Sequence, residues 1–118
     1  MEHIVSPTHI RAVGNLPKII KEFVGWVNTN SGEVSIAKME SPSGWTEPGQ
    51  TPEFDEYTIV LRGMVQVKTK RKTFEVRAGE VFIAHKGDWV QYSTPGEGAE
   101  YIAVCLPAFS PKIVHRDL

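Results

Sequence analysis

The chain has 118 residues, enough for one domain around one core and too few for a second. With 13 Lys and Arg against 14 Asp and Glu its formal net charge is −1, and no broad basic surface or aromatic-interleaved basic strip points to nucleic acid as a partner. A single cysteine, Cys105, excludes an internal disulfide, and no apolar run has the pattern of a signal peptide or a membrane span. A cytoplasmic location without a membrane partner is the expectation.

Ile19, Ile20, Phe23, Val24 and Val27 recur at the spacing of one helix face, and Pro17 stands near the start, where a missing N–H costs nothing. The pattern predicts a short helix over 16–26, ended by Gly25 and the turn residues Asn28 to Gly32. Residues 1–32 thus read as an N-terminal arm whose helix packs on the domain after it. From Glu33 the pattern changes to short runs of β-branched and aromatic residues punctuated by Gly and Pro, which predicts an all-β, antiparallel domain over 33–107. Strands are predicted near 33–40, 55–61, 64–69, 73–77, 81–84, 89–93 and 100–106, with a turn at Arg62-Gly63. The tail, 108–118, follows Pro107 and contains Pro111, so it is expected to cross the barrel or meet a partner subunit rather than extend the sheet.

Strand alternation sorts the side chains. If Glu56 points inward, Thr58 and Val60 do too, and Tyr92 shares a face with Val90. Gln50, Glu56, Thr58 and Tyr92 form the candidate interior polar set. Tyr57, Ile59 and Trp89 fall on the outer face, and their apolar bulk suggests a homodimer. Glu56 is the candidate catalytic residue: an enclosed carboxylate has a raised pKa and can serve as general acid or base, or it is a hydrated remnant near the barrel mouth. Gln50, Thr58 and Tyr92 are candidate ligand-binding groups that could equally satisfy buried backbone. Glu53, in the acidic stretch PEFDE at a strand entrance, and Trp45, in the loop SPSGWTEPG and placed to form a lid or pocket wall, are further candidate ligand-binding residues. His85 stands in a turn, and His3, His9 and His115 lie in the arms without ligand-type spacing, so no metal site is assigned.

Two segments carry a resemblance. They are GWTEPGQTPEFDEYTIVLRG from Gly44 to Gly63 and GEVFIAHKGDWVQYST from Gly79 to Thr94. Their spacings are similar to the two signatures of small cupin barrels, G-x5-H-x-H-x3-E-x6-G and G-x5-P-x-G-x2-H-x3-N. Gln50 and Pro52 stand where the first has histidines, while Glu56 and Gly63 match it. In the second, Gly79 and Gly87 match, and His85, Val90 and Thr94 replace proline, histidine and asparagine. The chain resembles the cupins over roughly 34–106. The runs F-D-E, I-V-L-R-G, G-E-V-F-I-A-H-K-G and A-E-Y-I-A-V-C-L-P-A look like the histidine-poor, ethanolamine-utilisation type. The resemblance implies a double-stranded β-helix, the RmlC-like jelly roll, with a carboxylate at Glu56 and most metal ligands gone. The expected function is a barrel binding a small polar metabolite without a cofactor. The alternatives are a metal-independent isomerase, epimerase or lyase using Glu56, or a metal-dependent cupin built from Glu56, His85 and arm histidines.

Overall fold

From Asp55 to Thr69 buried positions recur at two-residue steps on either side of Arg62-Gly63, at Thr58 and Val60 and again at Val65 and Val67, and no turn divides them. In the computed structural model, which describes residues 1–118, these residues form one strand of 15 residues, β5, rather than the two predicted. The strands before it are β1 (Thr8–Ile10), β2 (Ile19–Val24), β3 (Ser35–Ser41) and β4 (Trp45–Thr46). After it come β6 (Thr73–Arg77), β7 (Val81–Ala84), β8 (Val90–Thr94) and β9 (Ala99–Leu106). All pairings are antiparallel. One sheet runs β1-β2-β3-β9-β5-β7 and the other β4-β8-β5-β6, so β5 belongs to both. Its first half pairs with β7 and β9, and its second half with β6 and β8.

The crossing point is Gly63. A register shift between Val60 and Arg62 bends the strand there, and Gly63 takes φ 78°. A Cβ at this position would lie 2.0 Å from the carbonyl oxygen of Gly98, so only glycine lets the two backbones pass. The inner faces of both sheets meet in one core of Trp45, Val60, Val65, Val67, Val76, Ala84, Val90, Tyr92, Ala99 and Tyr101. A smaller cluster of Phe54, Cys105 and Val114 fixes the tail to the barrel.

The predicted N-terminal helix is not there. Ile19 to Val24 is an edge strand paired with β3, and β1 adds outside it. The apolar spacing suited a helix, but β-branched Ile19, Ile20 and Val24 fit a pleated surface, and the open edge of β3 offered ladder partners. Trp89 also departs from expectation. Tyr57 faces Ile83 and Val104 across the outer sheet surface, and Ile59 faces Val81 and Ile102. Trp89 lies elsewhere, against Gly49, with its indole N–H donating to Asp117 Oδ2 at 2.8 Å. No helix is long and apolar enough to cross a membrane.

The Gly63 crossing is testable against another positive-φ glycine. Gly87 has φ 88° and nothing within 4 Å of a built Cβ. Gly87→Ala should cost about 1–2 kcal/mol in urea unfolding, the strain of a left-handed backbone alone. Gly63→Ala should cost at least about 2 kcal/mol more, because the Gly98 carbonyl must also move. Equal costs would remove Gly63 from this role.

Candidate active site

Burial of charge marks the site. Between the inner faces of β2, β3, β5, β8 and β9 lies a cavity of about 80 Å3. That is room for about five water-sized groups, the scale of a phosphate. Its polar wall includes Lys18, Glu47, Gln50, Glu56, Tyr92 and Arg116. Glu56 and Tyr92 come from neighbouring positions of the barrel interior, as alternation along β5 and β8 requires. Lys18 precedes β2 on the same side as Ile20 and Glu22, which follow it at two-residue steps and also reach the wall. Glu47 follows β4, and Arg116 arrives from the tail.

Lys18 anchors the electrostatics. Its Nζ lies 4.0 Å from the centroid of the fully buried Trp45 ring and 5.3 Å from that of Tyr101, so the aromatic faces share its charge. Burial works against that charge, but Tyr101, Glu47 and Glu56 outweigh it and hold the amine above the ordinary lysine range. Burial raises Glu47, with Lys18 and Arg116 pulling the other way. Burial and the neighbouring Glu47 push Glu56 to about 7, against the partial relief of Lys18 and Arg116. Tyr92 is raised well above the ordinary phenol value, first by burial and then by the two glutamates, so its hydroxyl stays protonated.

None of these charges closes a direct ion pair. The ion pairs of the chain lie elsewhere, at Lys21–Glu40, Lys38–Glu100, Arg62–Glu100, Arg77–Glu75 and His115–Glu53. Glu22 is already engaged: its Oε2 accepts the N–H groups of Val27 at 2.9 Å and Asn28 at 3.0 Å, closing the turn after β2. Tyr101 shares a hydrogen bond of 2.9 Å with Ser41. By contrast, the Tyr92 hydroxyl and the Arg116 Nε are buried without a partner. Two donors of the wall thus stand unpartnered although the carboxylates of Glu47 and Glu56 line the same cavity.

The expected site residues divide. Gln50, Glu56 and Tyr92 meet in the wall. Thr58 is fully buried, its hydroxyl unpartnered, but it lies outside the cavity wall. Glu53 is an exposed residue paired with His115, so it does not reach the cavity, because it precedes β5 on the outer side. Trp45 is no lid. It opens β4 opposite Thr94 and is fully buried in the core. His85 sits exposed in the turn after β7. Sequence reasoning missed Lys18, Glu47 and Arg116. A strand reading of residues 18–24 would have put Lys18 inward with Ile20 and Glu22, whereas nothing in the tail's local pattern signals Arg116.

The cupin metal is not served by these residues. Gln50, Pro52 and Val90 hold the positions of three ligands, and nowhere in the chain do three His, Cys, Asp or Glu side chains gather to hold an ion.

The raised Glu56 pKa has a stability consequence. Below about pH 4.5 the carboxyl is neutral in both folded and unfolded chains. As pH rises toward 7 the unfolded chain ionises first, so the folded state loses stability, roughly 3 kcal/mol in all. Glu56→Gln should therefore unfold like wild type near pH 4.5 and be more stable above pH 7, by up to that amount. Thermal midpoints at the two pH values measure it, and a constant difference between the proteins would place the Glu56 carboxyl in water.

No protein-family model matches the chain. A Myxococcus xanthus protein named endoribonuclease YbeY is 43% identical over 101 residues, which cover 85% of this chain. The chain spans about a third, 34%, of that relative's length. Among solved structures, the Clostridium difficile EutQ protein has a TM-score of 0.63 at 22% identity, over 78% of this chain and 64% of that one. The polyketide cyclase RemF of Streptomyces resistomycificus has a TM-score of 0.76 at 18% identity, over 100% and 85%. The cupin domain of Schizosaccharomyces pombe Cnp3 has 0.66 at 15%, over 81% and 69%.

The Myxococcus relative overturns the functional expectation. The sequence leads to a barrel for small polar metabolites, with isomerase, epimerase, lyase or unusual metal chemistry as alternatives, yet the similar protein is named an endoribonuclease. The error has a physical source: short strand motifs report packing and say nothing of what a cavity meets. For the fold the result is as expected, and the chain has the all-β barrel of the small cupins, resembling EutQ among them.

Proposed function

We propose that the barrel cavity is an RNA-directed site that receives a phosphate and its neighbouring ribose. The observation carrying this reading is the set of unspent donors: Tyr92 hydroxyl and Arg116 Nε, buried without acceptors beside the Lys18 ammonium. A group offering several anionic oxygens satisfies both donors and faces the ammonium, and a cavity of about 80 Å3 suits one phosphate. The name of the Myxococcus relative supplies RNA as the source of that phosphate. The expectation of no nucleic acid rested on the absence of a basic surface, whereas the cations invoked here are internal.

The chemistry open to such a site is transfer of the ribose 2′-hydroxyl onto the adjacent phosphorus. Glu56, titrating at about 7, is half ionised at neutral pH and can take the 2′-hydroxyl proton. The new bond joins the 2′-oxygen to phosphorus, the bond to the 5′-oxygen breaks, and that oxygen leaves with a proton from water. Lys18 and Arg116 balance the charge that builds on the phosphate oxygens. The products are a 2′,3′-cyclic phosphate and a free 5′-hydroxyl. A second reading is favoured by the chain's spanning 34% of the relative: the barrel holds RNA and the remainder of such a protein cuts it.

Short single-stranded RNA, and the same oligonucleotide with 2′-O-methyl riboses, separate the two readings. Binding is followed by fluorescence anisotropy and cleavage by gel. Binding should fall about tenfold or more in Lys18→Met, from the loss of a charged hydrogen bond. With one phosphate neutralised, the logarithm of affinity should fall with that of salt at a slope of about −0.7. Cleavage should need the 2′-hydroxyl and vanish in Glu56→Gln while binding survives. Binding without cleavage selects the second reading, and binding to neither oligonucleotide rejects both.

A further inference from the structure

Arg116 reaches the cavity in an unusual way. The tail turns at Ser110, where the Ile113 N–H donates to the Ser110 carbonyl at 3.1 Å, and then runs back along the loop before β5. The Glu53 N–H donates to the Ile113 carbonyl at 2.9 Å, the Thr51 N–H to the His115 carbonyl at 3.1 Å, and the Asp117 N–H to the Gly49 carbonyl at 2.8 Å. Gln50 and Arg116 bridge across this short ladder. The loop beneath it, from Glu47 to Glu53, itself supplies Glu47 and Gln50 to the cavity wall.

The strap has two unlike halves. Val114 is 2% exposed and packs with Phe54 and Cys105, so the tail up to Val114 is fixed by apolar burial. Beyond it the hold is polar and at the surface. His115 pairs with exposed Glu53, and Asp117 accepts the Trp89 indole N–H at 2.8 Å. Between the halves His115 takes φ 49°, a left-handed conformation that turns the chain so that Arg116 leaves the surface. Its guanidinium lies 5.6 Å from the Phe109 ring, with Nε buried and unpartnered.

We propose that His115–Leu118 is a latch that carries Arg116 into the site as the cation orienting a phosphate, so that phosphate binding and latch closure stabilise each other. The proposal rests on the phosphate reading above and adds to it the means by which the site is completed. The docked latch supplies a donor that an oxyanion needs, and the oxyanion satisfies a buried Nε that otherwise has no acceptor. Coupling of this kind is reciprocal: whatever loosens the latch weakens phosphate, and phosphate tightens the latch by the same factor.

Two variants break the latch without touching the cavity. Trp89→Phe removes the hydrogen bond to Asp117 and keeps the charge. Asp117→Ala removes the same bond together with a negative charge, which by simple electrostatics should favour an anion. Inorganic phosphate, up to on the order of 10 mM, is titrated by calorimetry. Hydrogen exchange is read at the Thr51 N–H, bonded beyond the hinge, and at the Glu53 N–H, bonded on the anchored side. In wild type, phosphate should slow exchange at Thr51 and leave Glu53 unchanged. Both variants should speed Thr51 exchange and weaken phosphate by about threefold to tenfold, Asp117→Ala included, against its charge. Unchanged or tighter phosphate binding in both variants would overturn the coupling while leaving the phosphate site intact. Absence of phosphate binding in wild type would instead remove the site and the latch's role together.

Discussion

One strand holds this barrel closed. β5 leaves one sheet and enters the other at Gly63, so neither sheet can shift without dragging the other. The crossing depends on the absence of a single Cβ beside the Gly98 carbonyl. Everything inward of it follows from period-two alternation along that strand. Glu56, Thr58, Val60, Val65 and Val67 fall on the inner side, with the kink at Gly63 keeping the two runs in phase with the closed surface.

The cost of the site is electrostatic. Lys18, Glu47, Glu56 and Arg116 are brought near one another inside an apolar wall, without a direct ion pair between any two. Such an arrangement is tolerated because the aromatic faces of Trp45 and Tyr101 take part of the lysine charge, and because Glu56 stays partly protonated at neutral pH. A barrel built only for packing would have no need of these groups, since apolar side chains of similar volume fill such space at lower cost. The phosphate reading proposed above rests on their placement together with the unpartnered donors. Cys105 illustrates the contrast: burial raises its thiol pKa, it sits in the cluster that anchors the tail, and packing accounts for it.

The termini complete what the central strands begin. Lys18 arrives from the segment before β2, whose edge pairing with β3 sets its reach, and Arg116 arrives from a tail that rides on the loop before β5. Close backbone approach makes the first of these possible. A Cβ at Gly14 would lie 2.6 Å from the Trp45 indole nitrogen, so the N-terminal loop settles directly on the ring that carries the lysine charge. Site assembly therefore draws on residues about one hundred positions apart in the chain.

By itself the sequence determined the barrel, most of its strands, and the inward course of Glu56 and Tyr92, because alternation and glycine punctuation are local properties of a pleated backbone. It also marked Gln50 through motif spacing. Its local pattern misjudged residues 16–26, where an apolar spacing compatible with a helix lost to the unpaired edge of β3. Trp45 was read from its Gly-rich loop as a lid, while the core took it in. Lys18, Glu47 and Arg116 became site residues only through tertiary structure. Their positions depend on edge pairing, loop approach and a tail that folds back, and none of these contacts is encoded within a few residues of the side chain it places.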